Sequence, residues 1–125
     1  MGKLGGQFLV ACLCAEWCGA CREYRPAFDA LAARYPAVRF AWVDVEDEPE
    51  VAGDIDIENF PTLVIQFNAD VLFCGAMLPH ISQLERLLQT FMSQTPEQLA
   101  AHAAATPERL AWQGLADVAA RLALS

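Results

Sequence analysis

Phe8-Leu9-Val10-Ala11-Cys12-Leu13-Cys14-Ala15-Glu16-Trp17-Cys18-Gly19-Ala20-Cys21 is the stretch on which the reading of this chain turns. It begins with an unbroken apolar run of strand length, and a strand apolar on both faces belongs in a sheet covered on both sides. It ends in a Cys-x-x-Cys pair at the start of a helical pattern. From Gly19 to Tyr35, Tyr24, Phe28, Leu31 and Tyr35 recur at helical spacing, and Pro36 closes the segment. Two cysteines so placed can form a small disulfide ring. The first sulfur, on Cys18, lies near unpaired backbone N–H groups and the positive end of the helix dipole, which favours thiolate and makes it the nucleophile. Cys21, one turn in and more shielded, is the resolving thiol that attacks a mixed disulfide. Zinc sites use the same spacing, so the pair alone leaves both chemistries open.

Outward from this stretch, residues 38 to 45 predict a second strand and residues 49 to 55 a short helix within an acidic segment. Thr62 to Phe67 and Val71 to Cys74 predict two strands joined by Asn68-Ala69-Asp70 in a hairpin-like connection. Pro79 to Met92 predicts an amphipathic helix with Ile81, Leu84, Leu88 and Phe91 on one face. The order is β-α-β-(short α)-β-β-α, an α/β domain over residues 1–93. Residues 94–125 form an Ala-rich extension in which Thr95-Pro96-Glu97-Gln98-Leu99-Ala100 is echoed by Thr106-Pro107-Glu108-Arg109-Leu110-Ala111. Each copy has the form of a helix start, with Thr as N-cap and Pro at the first helical position. Two helices are expected there, packed on or beside the domain, the second carrying Ala111, Leu115, Val118 and Leu122 along one face.

The chain has 125 residues, 55% of them hydrophobic and 19% charged, enough for one packed domain. A formal charge of −8 excludes binding of nucleic acid or anionic membrane through the net field. No apolar run reaches the roughly 20 residues of a transmembrane helix. Leu9-Val10-Ala11-Cys12 has the form of a lipoprotein cleavage box, but the apolar part behind Lys3 and Leu4 is shorter than the roughly 7–15 residues of a secretory peptide. With an odd number of cysteines, five, the reading is a cytoplasmic protein and not a disulfide-stapled secreted one.

With the Trp-Cys-Gly-x-Cys string following an apolar strand, and Phe60-Pro61-Thr62 opening a later one, residues 7 to 92 resemble the thioredoxin family. The resemblance implies a thioredoxin-like fold and protein disulfide oxidoreductase activity, exchanging a dithiol for a disulfide with protein substrates, as a reductant. It implies Cys18–Cys21 as the redox-active disulfide, Pro61 as a cis proline facing it, and the backbone of Phe60 pairing with an extended substrate segment. Gly75 matches the glycine after the last strand that leaves room for substrate. Trp17, Gly19 and Ala20 complete the expected substrate surface. An external reductase or dithiol donor would restore the dithiol, with no cofactor and no metal.

The departures from the family are specific. The extra strand and helix with which thioredoxins begin are expected to be missing, which would leave a sheet edge uncovered unless the C-terminal helices cover it. Gly-Ala replaces the usual Gly-Pro between the cysteines. The buried aspartate six residues before the nucleophile is Cys12, and its lysine partner is Trp42. Proton transfer at Cys21 would then fall to water or a carboxylate such as Glu16, with Arg22 a cation beside the resolving thiol. Cys12, Cys14 and Cys74 read as small buried hydrophobes, with an auxiliary role at the redox site as the second reading for Cys12 and for Cys74. His80 and His102 are given no role. Between Arg39 and Arg86 lie ten carboxylates and no Lys or Arg, which reads as a solvated face. Two alternatives stand beside exchange: a client-binding, chaperone-like module with little turnover, and a four-thiolate metal site on Cys12, Cys14, Cys18 and Cys21.

Overall fold

The computed structural model describes residues 6–124; the leader with Lys3 and Leu4 lies outside them. Ten elements follow in the order β1 (Phe8–Cys14), α1 (Gly19–Arg34), β2 (Arg39–Asp44), α2 (Pro49–Ala52), β3 (Thr62–Phe67), β4 (Asp70–Ala76), α3 (Ile81–Met92), α4 (Pro96–Ala103), α5 (Pro107–Leu115) and α6 (Val118–Leu124). The strands form one sheet in the order β2-β1-β3-β4. β1 runs parallel to β2 and antiparallel to β3, and β3 is antiparallel to β4. The β1-α1-β2 crossover is what a parallel pair requires, and the β3-β4 hairpin turns through Asn68 at φ 54°.

The continuous apolar run of β1 is explained by its two covered faces. Val10, Cys12 and Cys14 pack with Tyr24, Phe28 and Leu31 of α1 and Leu84, Leu88 and Phe91 of α3. Leu9, Ala11 and Leu13 point the other way, onto Val51 and Ala52 of α2 and onto Ala116 and Val118. In the β3-β4 register Gln66 opposes Val71 and Ile65 opposes Phe73, which leaves Leu72 as an extra residue. Leu72 and Phe73 both join the first face, and Cys74 falls on the second.

The extension differs from the expectation of two helices. The first starts as read, with Thr95 and Gln98 in a reciprocal capping box. The second starts at Thr106, whose hydroxyl accepts from the Arg109 N–H, but it breaks at Gln113 and Gly114, and α6 follows as a separate helix. Gly114 sits at φ 85°, where residues with a side chain are strained. The break lets α4 and α5 lie along β4 while α6 reaches α2. The extension therefore covers the β4 edge and packs on the second sheet face.

Candidate active site

Cys18 is the N-cap of α1, in extended conformation, and its side chain makes no capping bond. The Cys18 N–H donates to the Ala15 carbonyl at 3.0 Å, and its own carbonyl accepts from Arg22 N–H at 3.2 Å. The Arg22 guanidinium donates to the Glu16 carbonyl at 3.2 Å, tying the loop to the first turn of the helix. Cys18 is thus held where a strand end meets a helix start, half-buried, with the first-turn N–H groups beside it.

The sulfurs are arranged differently from the expected ring. Cys21 is disulfide-bonded to Cys14, with a Cα–Cα distance of 5.9 Å, and Cys18 is a free thiol. Cys14 is as buried as expected, at 1% exposure, but it is not a mere space filler. As the last residue of β1 it faces α1, and Cys21 points down from the helix onto it. Cys12 lies on the same face, fully buried, with its Sγ 3.6 Å from that of Cys14. A disulfide sulfur carries no proton, so the Cys12 S–H is the donor. Burial pushes the Cys12 thiol well above its usual range, against a weaker opposing pull from Arg25, and keeps it protonated. Cys12 also stands opposite Trp42 in the β1-β2 register, so both positions that are polar in thioredoxins carry weakly polar groups side by side. Cys74, half-buried on the other face, is remote from these sulfurs; burial raises its thiol as well.

Around Cys18 the surface is aromatic. Trp17 is 64% exposed and stands edge-on to Phe60 at 5.7 Å between ring centres. Its indole N–H donates to Glu46 at 3.2 Å. The Phe60-Pro61 peptide bond is cis, and the Pro61 carbonyl accepts from Met77 N–H at 3.2 Å. Asn59, Phe60, Ala76, Met77, Leu78 and Pro79 line a shallow groove of about 320 Å³, with Leu78 62% exposed. Gly75 lies on β4 just before it. A Cβ there would meet only the Phe73 ring, at 3.6 Å, so the chain's own packing does not demand glycine. Gly19 is exposed and Ala20 half-buried on the first turn.

A second cleft, of about 420 Å³, opens behind Cys21, lined on one side by Arg22, Arg25 and Trp42 and on the other by Asp44, Asp47 and Glu48. Glu16, the carboxylate expected near Cys21, lines it too. Sequence reading missed the other three acids as site residues. The acidic segment gave the signal, but only the fold brings Asp44, the register partner of Cys14, to the cleft wall. Trp42, half-buried, stacks edge-on against Phe28 at 5.5 Å and takes the Arg25 guanidinium over its ring at 5.0 Å. His102 bonds the Leu72 carbonyl at 2.9 Å, a structural contact for which sequence gave no signal.

A family model described as thioredoxin matches residues 5–90. Thioredoxin of Ophiophagus hannah is 30% identical over 94 residues, covering 74% of this chain and 87% of that protein. An H-type thioredoxin of Fagopyrum esculentum is 31% identical over 104 residues, covering 83% and 79%. Among solved structures, Fasciola hepatica thioredoxin superposes with a TM-score of 0.63 at 28% identity, over 70% of this chain and 84% of that one.

Proposed function

This chain belongs to the thioredoxin family, and from that premise we propose that Cys18 is the nucleophile and Cys21 the resolving thiol of its reaction. The protein is a thiol–disulfide oxidoreductase that acts on protein disulfides and is reduced in turn by a reductase. In the reductive direction the Cys18 thiolate attacks one sulfur of a substrate disulfide, and the other leaves as a thiolate that takes up a proton. The Cys21 thiolate then attacks Cys18 Sγ, forming Cys18–Cys21 and releasing the second substrate thiol. The substrate gains two electrons, the protein loses two, and an external dithiol donor returns them. In our reading Trp17, Gly19, Ala20, Phe60, Pro61 and Gly75 receive the substrate, which lies extended beside Phe60 in a β-augmentation mode.

The observation that carries this assignment is that Cys18 is a free, half-buried thiol at a helix start, beside the Trp17–Phe60 pair. The test is reduction of a disulfide-linked protein substrate with dithiothreitol as donor. Cys18→Ser is expected to abolish it, and activity retained in that variant would refute the assignment. Neither alternative is favoured. Of the four residues on the face a client would need, Val118 and Leu122 pack into the second core cluster, while Ala111 and Leu115 are exposed, which leaves too narrow an apolar strip for that reading. Two of the four sulfurs of a thiolate cage are joined to each other. No helix among the described residues is long and apolar enough to cross a membrane. We place the protein in the cytoplasm, and treat residues 1–93 as the exchange domain with residues 94–125 as its helical extension.

A further inference from the structure

We propose that Cys14 is a third redox-active cysteine, and that the oxidised protein holds its disulfide in two interchangeable positions, Cys14–Cys21 and Cys18–Cys21. The inference rests on the assignment of Cys18 and Cys21 above and extends it. Cys21 is the shared member. It is bonded to Cys14 across the gap between the end of β1 and the first turn of α1, and it stands three residues beyond Cys18 on that turn. Cys14, Cys18 and Cys21 all pack in the first core cluster.

The exchange is balanced without any outside oxidant. The Cys18 thiolate attacks Cys21 Sγ, the Cys18–Cys21 bond forms, the Cys14–Cys21 bond breaks, and the electron pair leaves on Cys14. The proton lost from Cys18 to solvent is matched by one taken up at Cys14, so the oxidation level does not change. Cys12 is set for the leaving group: its S–H already points at Cys14 Sγ from 3.6 Å, and burial keeps that proton in place. A hydrogen bond to a disulfide sulfur is weak, and one to the departing thiolate is charge-assisted and stronger, so the contact favours the transition state over the ground state. The position that carries a buried aspartate in thioredoxins thus carries a neutral donor aimed at a different sulfur.

The two positions differ in access. Cys14 and Cys21 are each 1% exposed, so external thiols reach that disulfide poorly, and attack by Cys18 is the short way to open it. While the bond sits on Cys14–Cys21, Cys18 stays a free thiol in the oxidised protein. With glutathione disulfide as the co-reactant, the oxidised protein would then still take one glutathione onto its nucleophile: the Cys18 thiolate attacks one sulfur, the Cys18–glutathione disulfide forms, and the other glutathione leaves as a thiolate that takes up a proton.

The experiment is disulfide mapping of the full chain. The protein is oxidised with diamide, quenched in acid, alkylated without reduction, digested with pepsin at low pH and mapped by mass spectrometry. All four sulfurs lie between Lys3 and Arg22, so a tryptic digest would not separate them. Two populations are expected, one with Cys14–Cys21 and alkylated Cys18, the other with Cys18–Cys21 and alkylated Cys14. Cys18→Ser, with four thiols when reduced, is expected to keep two after oxidation and to map to Cys14–Cys21. The Cys14→Ala/Cys18→Ser double variant is expected to keep all three of its thiols. If oxidised Cys18→Ser keeps all four thiols, or wild-type protein maps to Cys18–Cys21 alone, the inference is overturned. Those results would leave the exchange assignment standing, because it is read separately, from wild-type and Cys18→Ser reductase activity.

Discussion

The side chain of Gln113 pairs with both backbone groups of Val71: its Oε1 accepts from the Val71 N–H at 2.8 Å, and its Nε2 donates to the Val71 carbonyl at 2.9 Å. One amide thus imitates a neighbouring strand on the outer edge of β4. Val71 is fully buried, so its edge groups have little access to water and depend on this pairing. Gln113→Ala should therefore cost about 1–3 kcal/mol, the scale of leaving buried polar groups unsatisfied. Urea unfolding monitored by circular dichroism checks this, and Gln113→Glu, which keeps the acceptors but loses the donor, should recover little.

The same joint argues that the extension is not dispensable. Gln66, fully buried on the second sheet face, donates to Asp117 at 2.9 Å and accepts from Ala119 N–H at 3.0 Å. Ala116 and Val118 pack against Leu9, Ala11, Val64 and Val71. Deleting residues 94–125 would expose this apolar face and leave Gln66 without those partners. The truncated chain should bind a hydrophobic dye and lose its cooperative unfolding transition; a sharp transition with no dye binding would show that residues 1–93 suffice.

Much of this architecture was legible in the sequence, because it rests on periodicities that survive without tertiary information. The two-faced run of β1, the Tyr24, Phe28 and Leu31 stripe and the Thr-Pro helix starts gave the element order and the core. What escaped depends on angles between elements. The Cys18-x-x-Cys21 spacing encodes only a local ring. The Cys14–Cys21 bond spans the gap between a strand end and a helix turn, which no spacing rule encodes. Two signals were present: Cys14 shares the α1-facing side of the strand with Cys12, and Gly114 interrupts the apolar pattern expected of one long helix. Gln66, a lone amide in an apolar strand, likewise marked a buried polar joint.

Arg34 and Glu85 lock α1 to α3 through two guanidinium–carboxylate bonds of 2.7 Å, and the Tyr35 hydroxyl donates to the same carboxylate at 2.8 Å. The hydrogen bond from Arg34, then that from Tyr35, holds the Glu85 carboxyl below its usual pKa. A depressed folded-state pKa means that the stabilisation is fully present above the unfolded value of about 4.3 and is lost as pH falls through the lower folded value. Wild type should therefore exceed Glu85→Gln in urea midpoint at pH 7. The gap should close on acidification below pH of about 4, and should narrow at neutral pH in high salt, since the pair is on the surface.

Trp17 and Phe60 form the exposed aromatic wall beside Cys18, in edge contact with each other and next to the groove that ends at Leu78. If this wall receives protein substrates, Trp17→Ala should raise KM for a protein disulfide about tenfold, on the scale of a buried aromatic anchor. The effect on kcat should be small, and a compact disulfide that touches only Cys18 should react at nearly the wild-type rate. Steady-state kinetics with the two substrates separates this from a general loss of the thiol's reactivity, which would slow both.

Cys12 offers the most discriminating substitution, because its chemistry and its packing can be separated. Val exceeds the thiol by about one methyl group, so Cys12→Val should keep the site filled and apolar at an overpacking cost of about 1–3 kcal/mol, which urea unfolding reads separately from the exchange rate. It removes the S–H donor 3.6 Å from Cys14. If that donor supports Cys14 as a leaving thiolate, the Cys14–Cys21 form should open several-fold more slowly in the variant, up to about tenfold if the lost charge-assisted bond is worth ~1.4 kcal/mol. Acid-quenched time points of oxidised protein treated with dithiothreitol, followed by alkylation and mapping, measure this opening directly. Cys12→Ser, which retains a donor, should fall between wild type and Cys12→Val. Equal rates in all three proteins would reduce Cys12 to a packing residue.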